Sequence, residues 1–430
     1  MALSSSRFLE CAVATGITAA ALCPSSAQAQ ALGGTTAPLT LDRALLLAGS
    51  TAPSIEAAKA GIRAANAGRG AAALRPNPTL NGGIEYFGGT EEYRALRSAE
   101  ATVGVALPIE RGGKRSARVA VANAQRDQSA IALAMAAADL RLAVTQSYNE
   151  ATAADRRVTT AREQSRIAAE AARAANVRVR AGRASPLEEQ RADVLRINAD
   201  VAVERAQRLA DVSRSNLGRR IGRPVTEPLD VAWFNRVSSL GPDQPYSSQT
   251  GSNLAVTAAS AELTTADAQV RLAQAQRTPD LTVNAGVRRI QATNDFAAVV
   301  GVSIPIPVFN RGNEVVAQAR AQRDRADALR QVALLEAAQT IAGANAEVAN
   351  AAALARTAMG PTLAAATEAA RIARIGYREG KFGQLDLLDA ERTLAETRTA
   401  AIDALAAYHD AQARLERLTA APLGAARMQR

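Results

Sequence analysis

Two stretches decide the fold: Leu107-Pro108-Ile109-Glu110-Arg111-Gly112-Gly113 and, about 200 residues later, Ile306-Pro307-Val308-Phe309-Asn310-Arg311-Gly312. In each, an extended apolar run meets proline and then glycine, where the chain must change direction. The match extends outward on both sides. Upstream, Pro78-Thr79-Leu80 corresponds to Pro279-Asp280-Leu281. Downstream, Ala181-Gly182-Arg183 before Leu187-Glu188 corresponds to Glu379-Gly380-Lys381 before Leu385-Asp386. Landmarks in the same order at nearly the same spacing mark an internal duplication.

Each copy reads as a helix, two strands, a long helix, a break and a returning helix. The opening helices fall over 40–74 and Leu254–Gln276. The strand runs alternate with period two. Leu80, Ile84 and Tyr86 oppose Thr79, Asn81 and Glu85; Val103, Val105 and Leu107 oppose Glu100 and Thr102. In the second copy Leu281, Val283 and Val287 oppose Thr282, Asn284 and Arg288. There Val300, Val302 and Ile304 oppose Val299, Gly301 and Ser303. Runs of about 9 or 10 residues suit either a soluble sheet or tilted strands crossing a bilayer core.

The helices decide between them. From 113 to 180 there is no proline, and at about 1.5 Å per residue this spans roughly 100 Å. The second long pattern, 312–377, is interrupted by Gly343 and Gly360-Pro361, where proline should kink or unwind it. Helices of that length do not fit one globular domain and predict a coiled-coil rod or tube. Breaks at 181–186 and 379–384 return the chain, placing two hairpin tips at one end. Four strands cannot close a barrel in lipid, because open edges leave N–H and C=O groups unpaired. Bacterial single-chain barrels begin at about eight strands, so three copies sharing twelve strands would be needed. Pro108, Pro305 and Pro307 stand where strand pairing must stop.

Composition agrees. Aromatics are 3% of 430 residues and histidine occurs once, at His409, while alanine is abundant, as in closely packed long helices. The +10 net charge is dispersed with Asp and Glu along helical faces and lacks an aromatic stacking platform, so no nucleic-acid partner is expected. Residues 1–29 read as a secretory signal peptide: Arg7, an apolar run from Cys11 to Cys23, and Ala27-Gln28-Ala29. Leu22 is large for a lipoprotein cleavage site ahead of Cys23. The mature chain then holds no cysteine, which removes thiolate metal sites and cysteine nucleophiles. After the signal no run of about 20 apolar residues is evident for a membrane helix. No phosphate-binding loop, catalytic triad or metal-ligand cluster is found, so neither an enzyme nor a cofactor or metal site is expected; His409 is expected to be structural or exposed.

Leu107 to Arg115 and the run Tyr377-Arg378-Glu379-Gly380-Lys381-Phe382-Gly383-Gln384-Leu385-Asp386-Leu387-Leu388-Asp389-Ala390 resemble the TolC outer-membrane efflux family, closest to CzcC-like members of cation exporters. The resemblance covers about residues 39–419. It implies a mainly α homotrimer whose small β part forms a twelve-stranded outer-membrane barrel, continuous with a periplasmic α-helical barrel. It also implies docking to a periplasmic adaptor and an inner-membrane pump of the RND type. The expected organisation is signal peptide 1–29, first repeat 30–221, linker 222–250, second repeat 251–419 and tail 420–430.

The same resemblance places Asp386 and Asp389 at the periplasmic aperture, where threefold symmetry would make rings of carboxylates that attract cations. Read from the residues alone, both could equally stabilise a first helical turn. Glu188 holds the related position in the first repeat, and Tyr377 matches a latch tyrosine. Phe382 stands where the family's latch has an arginine, which puts an identical ionic lock in doubt. Gly182, Arg183, Ser185, Gly380, Lys381, Phe382 and Gly383 form the tips that would meet an adaptor, or serve as plain helix stops. A periplasmic adaptor would instead carry one hairpin among lipoyl-like and barrel modules, and a DNA-compacting protein would need neither signal peptide nor strands.

Overall fold

The computed structural model describes residues 37–237 and 253–421. The expected signal peptide, residues 238–250 of the linker and 422–430 of the tail lie outside them. The first copy contains α1 (Leu41–Thr51), α2 (Pro53–Ala72), β1 (Thr79–Glu85), β2 (Glu100–Ile109), α3 (Lys114–Arg180) and α4 (Pro186–Ile221). After a short α5 (Val231–Phe234), the second contains α6 (Leu254–Gln276), β3 (Leu281–Ile290), β4 (Asp295–Ser303), α7 (Asn313–Thr357), α8 (Leu363–Arg378) and α9 (Gln384–Thr419).

One expected helix is two. Pro53 forces Ala52 into an extended conformation (ψ 118°) and then opens α2 at its first position, where its missing N–H costs nothing. Pro361 has the opposite outcome. Residues 358–362 form a π-helical turn that absorbs the proline while α7 runs on into α8.

Alanine sets how the helices pack. Eight alanines are among the buried residues of α3, and six among those of α7. Small side chains let long helices approach closely along their whole length. α2 lies beside the sheet-proximal part of α3, where Arg69 donates to Asn123 at 2.7 Å and Arg118 donates to the carbonyls of Ala72 and Leu74 that close α2. α4 takes the distal part, held by Arg214 to Asp155 at 2.6 Å. α9 runs beside α3 from Asp403, paired to Arg157 at 2.8 Å, to Arg417, paired to Asp139. It hands over to α6 end to end: Leu254 N–H donates to Ala420 C=O at 3.2 Å.

α3 does contain one 18-residue window of mean hydropathy 1.2, which meets the length and composition of a membrane span. The sequence expectation of no such stretch is corrected there. Its apolarity rests on alanine, and α1, α2, α4, α6 and α9 all pack on this helix.

Midway along the helices Tyr148, Trp233, Phe234, Tyr408 and His409 gather. Tyr148 sits edge-on to Trp233 at 5.2 Å, and Trp233 stacks on His409 at 4.2 Å. Burial pushes the Tyr148 phenol up to about 12. It therefore keeps its proton, donating to Leu39 C=O at 2.6 Å and accepting from Asp230 N–H at 2.9 Å. His409, 4% exposed, holds the carbonyl of Phe234 through Nε2 at 2.8 Å. This knot fastens α1 and α5 to the middle of α3 and α9.

The strands form one antiparallel sheet in the order β1-β2-β3-β4, leaving β1 and β4 as edges. β1, at 7 residues, is shorter than the sequence suggested. Register aligns Leu80 with Val105, Val103 with Val287, and Val283 with Val302, so the apolar faces coincide across every ladder. Exposure is inverted relative to a soluble sheet. Val103 (58%), Val287 (53%) and Val300 (76%) are open, whereas Ala106 on the other face is buried and Gly104, Arg288 and Gly301 are partly shielded.

Burial holds the His409 imidazole below its ordinary value. Below about pH 6.5 the unfolded chain binds the proton first, so stability drops as pH falls through that range. Thermal midpoints of wild type and His409→Gln between about pH 7.5 and 5 check this. The wild type should lose more than the variant.

Candidate functional site

The two tips stop by the same hydrogen-bond pattern. After α3, Gly182 (φ +67°) donates to Val179 C=O and Arg183 to Arg178 C=O. After α8, Gly380 (φ +74°) donates to Tyr377 C=O and Lys381 to Gly376 C=O. Both are Schellman closures, which require a left-handed residue and so select glycine. Ser185 caps α4 by accepting from Leu187 N–H at 3.3 Å. The duplication seen in the sequence thus recurs in the two helix-ending closures, while the caps of the returning helices differ.

Phe382 folds back over Gly376, and a Cβ there would lie 2.2 Å from the ring. A phenyl ring against a bare backbone thus stands at the position where the resemblance implied a latch arginine. Lys381 pairs with Glu379 at 2.7 Å, and Arg183 stays exposed.

Glu188 and Tyr377 are brought together. The Tyr377 hydroxyl donates to Glu188 Oε1 at 3.3 Å, and Arg178 reaches the same oxygen at 3.4 Å. The Arg178 guanidinium also lies 4.9 Å from the centre of the Tyr377 ring. Gln384 donates to the Glu188 carbonyl at 3.3 Å. Four side chains from α3, α4, α8 and α9 therefore clamp one hairpin tip to the other. Arg178 and Gln384 were missed in the sequence; only their neighbourhood to the Gly-containing breaks could have pointed to them.

Asp386 and Asp389 are not in this clamp. Asp386 accepts the Gly383 N–H at 2.9 Å, closing the first turn of α9. Both are exposed, and Asp389 makes no ion pair or hydrogen bond among the described residues. They lie on a cleft of about 1620 Å³ between the hairpins, with Leu187, Val194 and Leu195 opposite Leu385 and Leu388. Beneath it the carboxylate of Glu391, 6% exposed, receives two hydrogen bonds from Arg374, one at 2.9 Å. Those bonds, the larger influence, hold the guanidinium firmly protonated against its partial burial. No group of His, Cys, Asp and Glu suited to holding a metal occurs among the described residues.

A sheet with its apolar face outward, joined to a long bundle ending in two glycine-stopped hairpins, defines a membrane-anchored duct component. The model of the outer membrane efflux protein family matches residues 45–223 and 246–421, and the chain belongs to that family. It is an outer-membrane efflux channel whose helical part lies in the periplasm. The cobalt-zinc-cadmium resistance protein CzcC of Cupriavidus metallidurans is 30% identical over 94% of this chain and 97% of its own. The nickel and cobalt resistance protein CnrC of the same organism is 32% identical over 68% and 69%. Among solved structures, the outer membrane protein VceC of Vibrio cholerae superposes with a TM-score of 0.72 at 19% identity, covering 89% of this chain and 96% of that one. The channel MtrE of Neisseria gonorrhoeae, in its open state, gives 0.70 at 19%, covering 89% of each. CzcC and CnrC are named as resistance proteins, MtrE as a channel and VceC as an outer membrane protein.

Replacing Glu391 with Ala should strip Arg374 of its partner and cost about 1.5–3 kcal/mol of α8–α9 contact. Amide exchange should quicken across residues 363–395 while the aromatic knot stays protected.

Proposed function

We propose that three copies of this chain build the exit duct of a tripartite efflux system that passively conducts divalent metal cations. The single observation that carries the trimer is the sheet itself: both edges are free, and its apolar face is the exposed one. β1 and β4 are antiparallel within one sheet, so β1 of one copy can pair with β4 of the next and keep alternation around a twelve-stranded ring. Such a head-to-tail contact closes by rotation and leaves no edge in lipid. The exposed apolar residues of α4, among them Leu187, Val194, Val201 and Leu209, support lateral packing of helices in the same assembly.

Divalent cations as cargo rest on the named resistances of the relatives. With no ligand cluster among the described residues, capture belongs elsewhere, in an inner-membrane RND-type pump reached through a periplasmic adaptor. Asp386 and Asp389 supply the carboxylates of the periplasmic aperture in this reading, since Asp389 is unpaired and Asp386 spends one oxygen on its own helix. Glu188 and Tyr377 act one step back, holding the tips together. Gly182, Arg183, Ser185, Gly380, Lys381, Phe382 and Gly383 present the rounded tips to the adaptor. Signal cleavage after residue 29, repeats over 30–221 and 251–419, a linker and a short tail complete the proposed organisation.

Deleting the gene should sensitise cells to zinc, cobalt and cadmium salts and leave antibiotic tolerance unchanged. Sensitivity to antibiotics alone would replace metals by organic solutes. In planar bilayers, Asp386→Ala with Asp389→Ala should weaken cation preference or raise conductance. Unchanged values for both would remove the aperture assignment.

A further inference from the structure

Resting on the membrane-crossing sheet just proposed, we infer that Arg289 is a docking point for the phosphate groups of outer-leaflet lipid headgroups. Register puts Arg289 opposite Ala101 on β2 and Phe296 on β4, in line with Val287, Val103 and Ile84 on the apolar face. Every other charged strand residue in this region, Glu85, Glu100, Arg288 and Asp295, falls on the opposite face by the same register. Arg288, the next residue, shows the contrast. It is partly shielded and pairs with Glu100 at 2.6 Å and Glu85 at 3.7 Å. Arg289 is exposed, and among the described residues its side chain forms no ion pair and one hydrogen bond, to the Asn294 side-chain oxygen at 3.2 Å.

An arginine on the lipid face is costly at the bilayer centre and tolerated only near the headgroups. Arg289 stands at the end of β3 remote from the helices, beside the β3–β4 turn, which is tied to the 86–99 loop by Gln291 N–H to Ala99 C=O at 2.9 Å. With the helices in the periplasm, this is the outward end. Phe296 (70% exposed), Tyr86 (53%) and Phe87 (57%) lie at the same level, as the aromatic girdle of a barrel does. β3 is paired on both sides, so joining copies through β1 and β4 leaves Arg289 uncovered. A planar guanidinium without a carboxylate, at headgroup depth, fits a phosphate bidentately. Arg94 and Arg97 of the neighbouring loop also lack an ion pair among the described residues and add to the attraction.

The test uses the full protein reconstituted in phosphatidylcholine vesicles with and without lipid A, a phosphorylated glycolipid, with conductance recorded to establish insertion. Retained lipid A per chain is then counted by native mass spectrometry. Arg289→Gln should lower it by about fivefold, Arg289→Lys by less, and Arg288→Gln, the same charge change on the other face, not at all. Equal retention in Arg289→Gln and wild type would overturn the inference, as would displacement of lipid A by inorganic phosphate alone, the mark of a water-facing anion site. Absence of any wild-type conductance would instead remove the membrane-crossing sheet, and this site with it.

Discussion

A backbone group in hydrocarbon has no water to turn to. That constraint governs this molecule, because a protomer offers four strands and a ring needs more. The sheet has the chemistry of a barrel wall, with valine, leucine and isoleucine outward and threonine, asparagine, glutamate and arginine on the shielded side. The helices then follow from the sheet. They must carry a passage away from the membrane, so they are long, nearly unbroken, and packed on alanine rather than on a bulky globular core.

Because alanine seams hold helices close without fixing their register strongly, polar staples and one aromatic knot do that work. Tyr148, Trp233 and His409 pin the start of α1 and the short α5 to the middle of α3 and α9. Ion pairs such as Arg214 with Asp155 and Arg157 with Asp403 set the vertical alignment. Each is worth little singly in water, but together they choose one register among several sterically possible ones. At the far end the Arg178–Glu188–Tyr377–Gln384 clamp joins the hairpins, and the two Schellman turns round them off.

Most of the fold was legible because its signals are local. Gly182 and Gly380 announced the hairpin tips, and period-two alternation over 100–107 and 281–288 announced the faces that the register shows. Pro108, expected to stop strand pairing, instead lies inside β2 opposite Thr282, one residue before the strand ends. The break at Ala52 was available too, in Pro53, but the strong helical composition on both sides masked it. The site was less legible. The clamp depends on which residues meet across hairpins separated by about 190 positions, as Glu188 and Tyr377 are, and periodicity carries no such information. The pairing of Arg374 with Glu391 and the contact of Phe382 with Gly376 were invisible for the same reason. Arg289 differs: its face follows from alternation alone, yet its meaning emerged only when register placed it among valines.

The most direct measurement is the mass of the protein extracted from outer membranes in mild detergent, taken by light scattering with the detergent subtracted. Three chains per particle, dissociating only with loss of β-structure, is the outcome required by a wall shared among copies. A stable single chain that retains its sheet would contradict it.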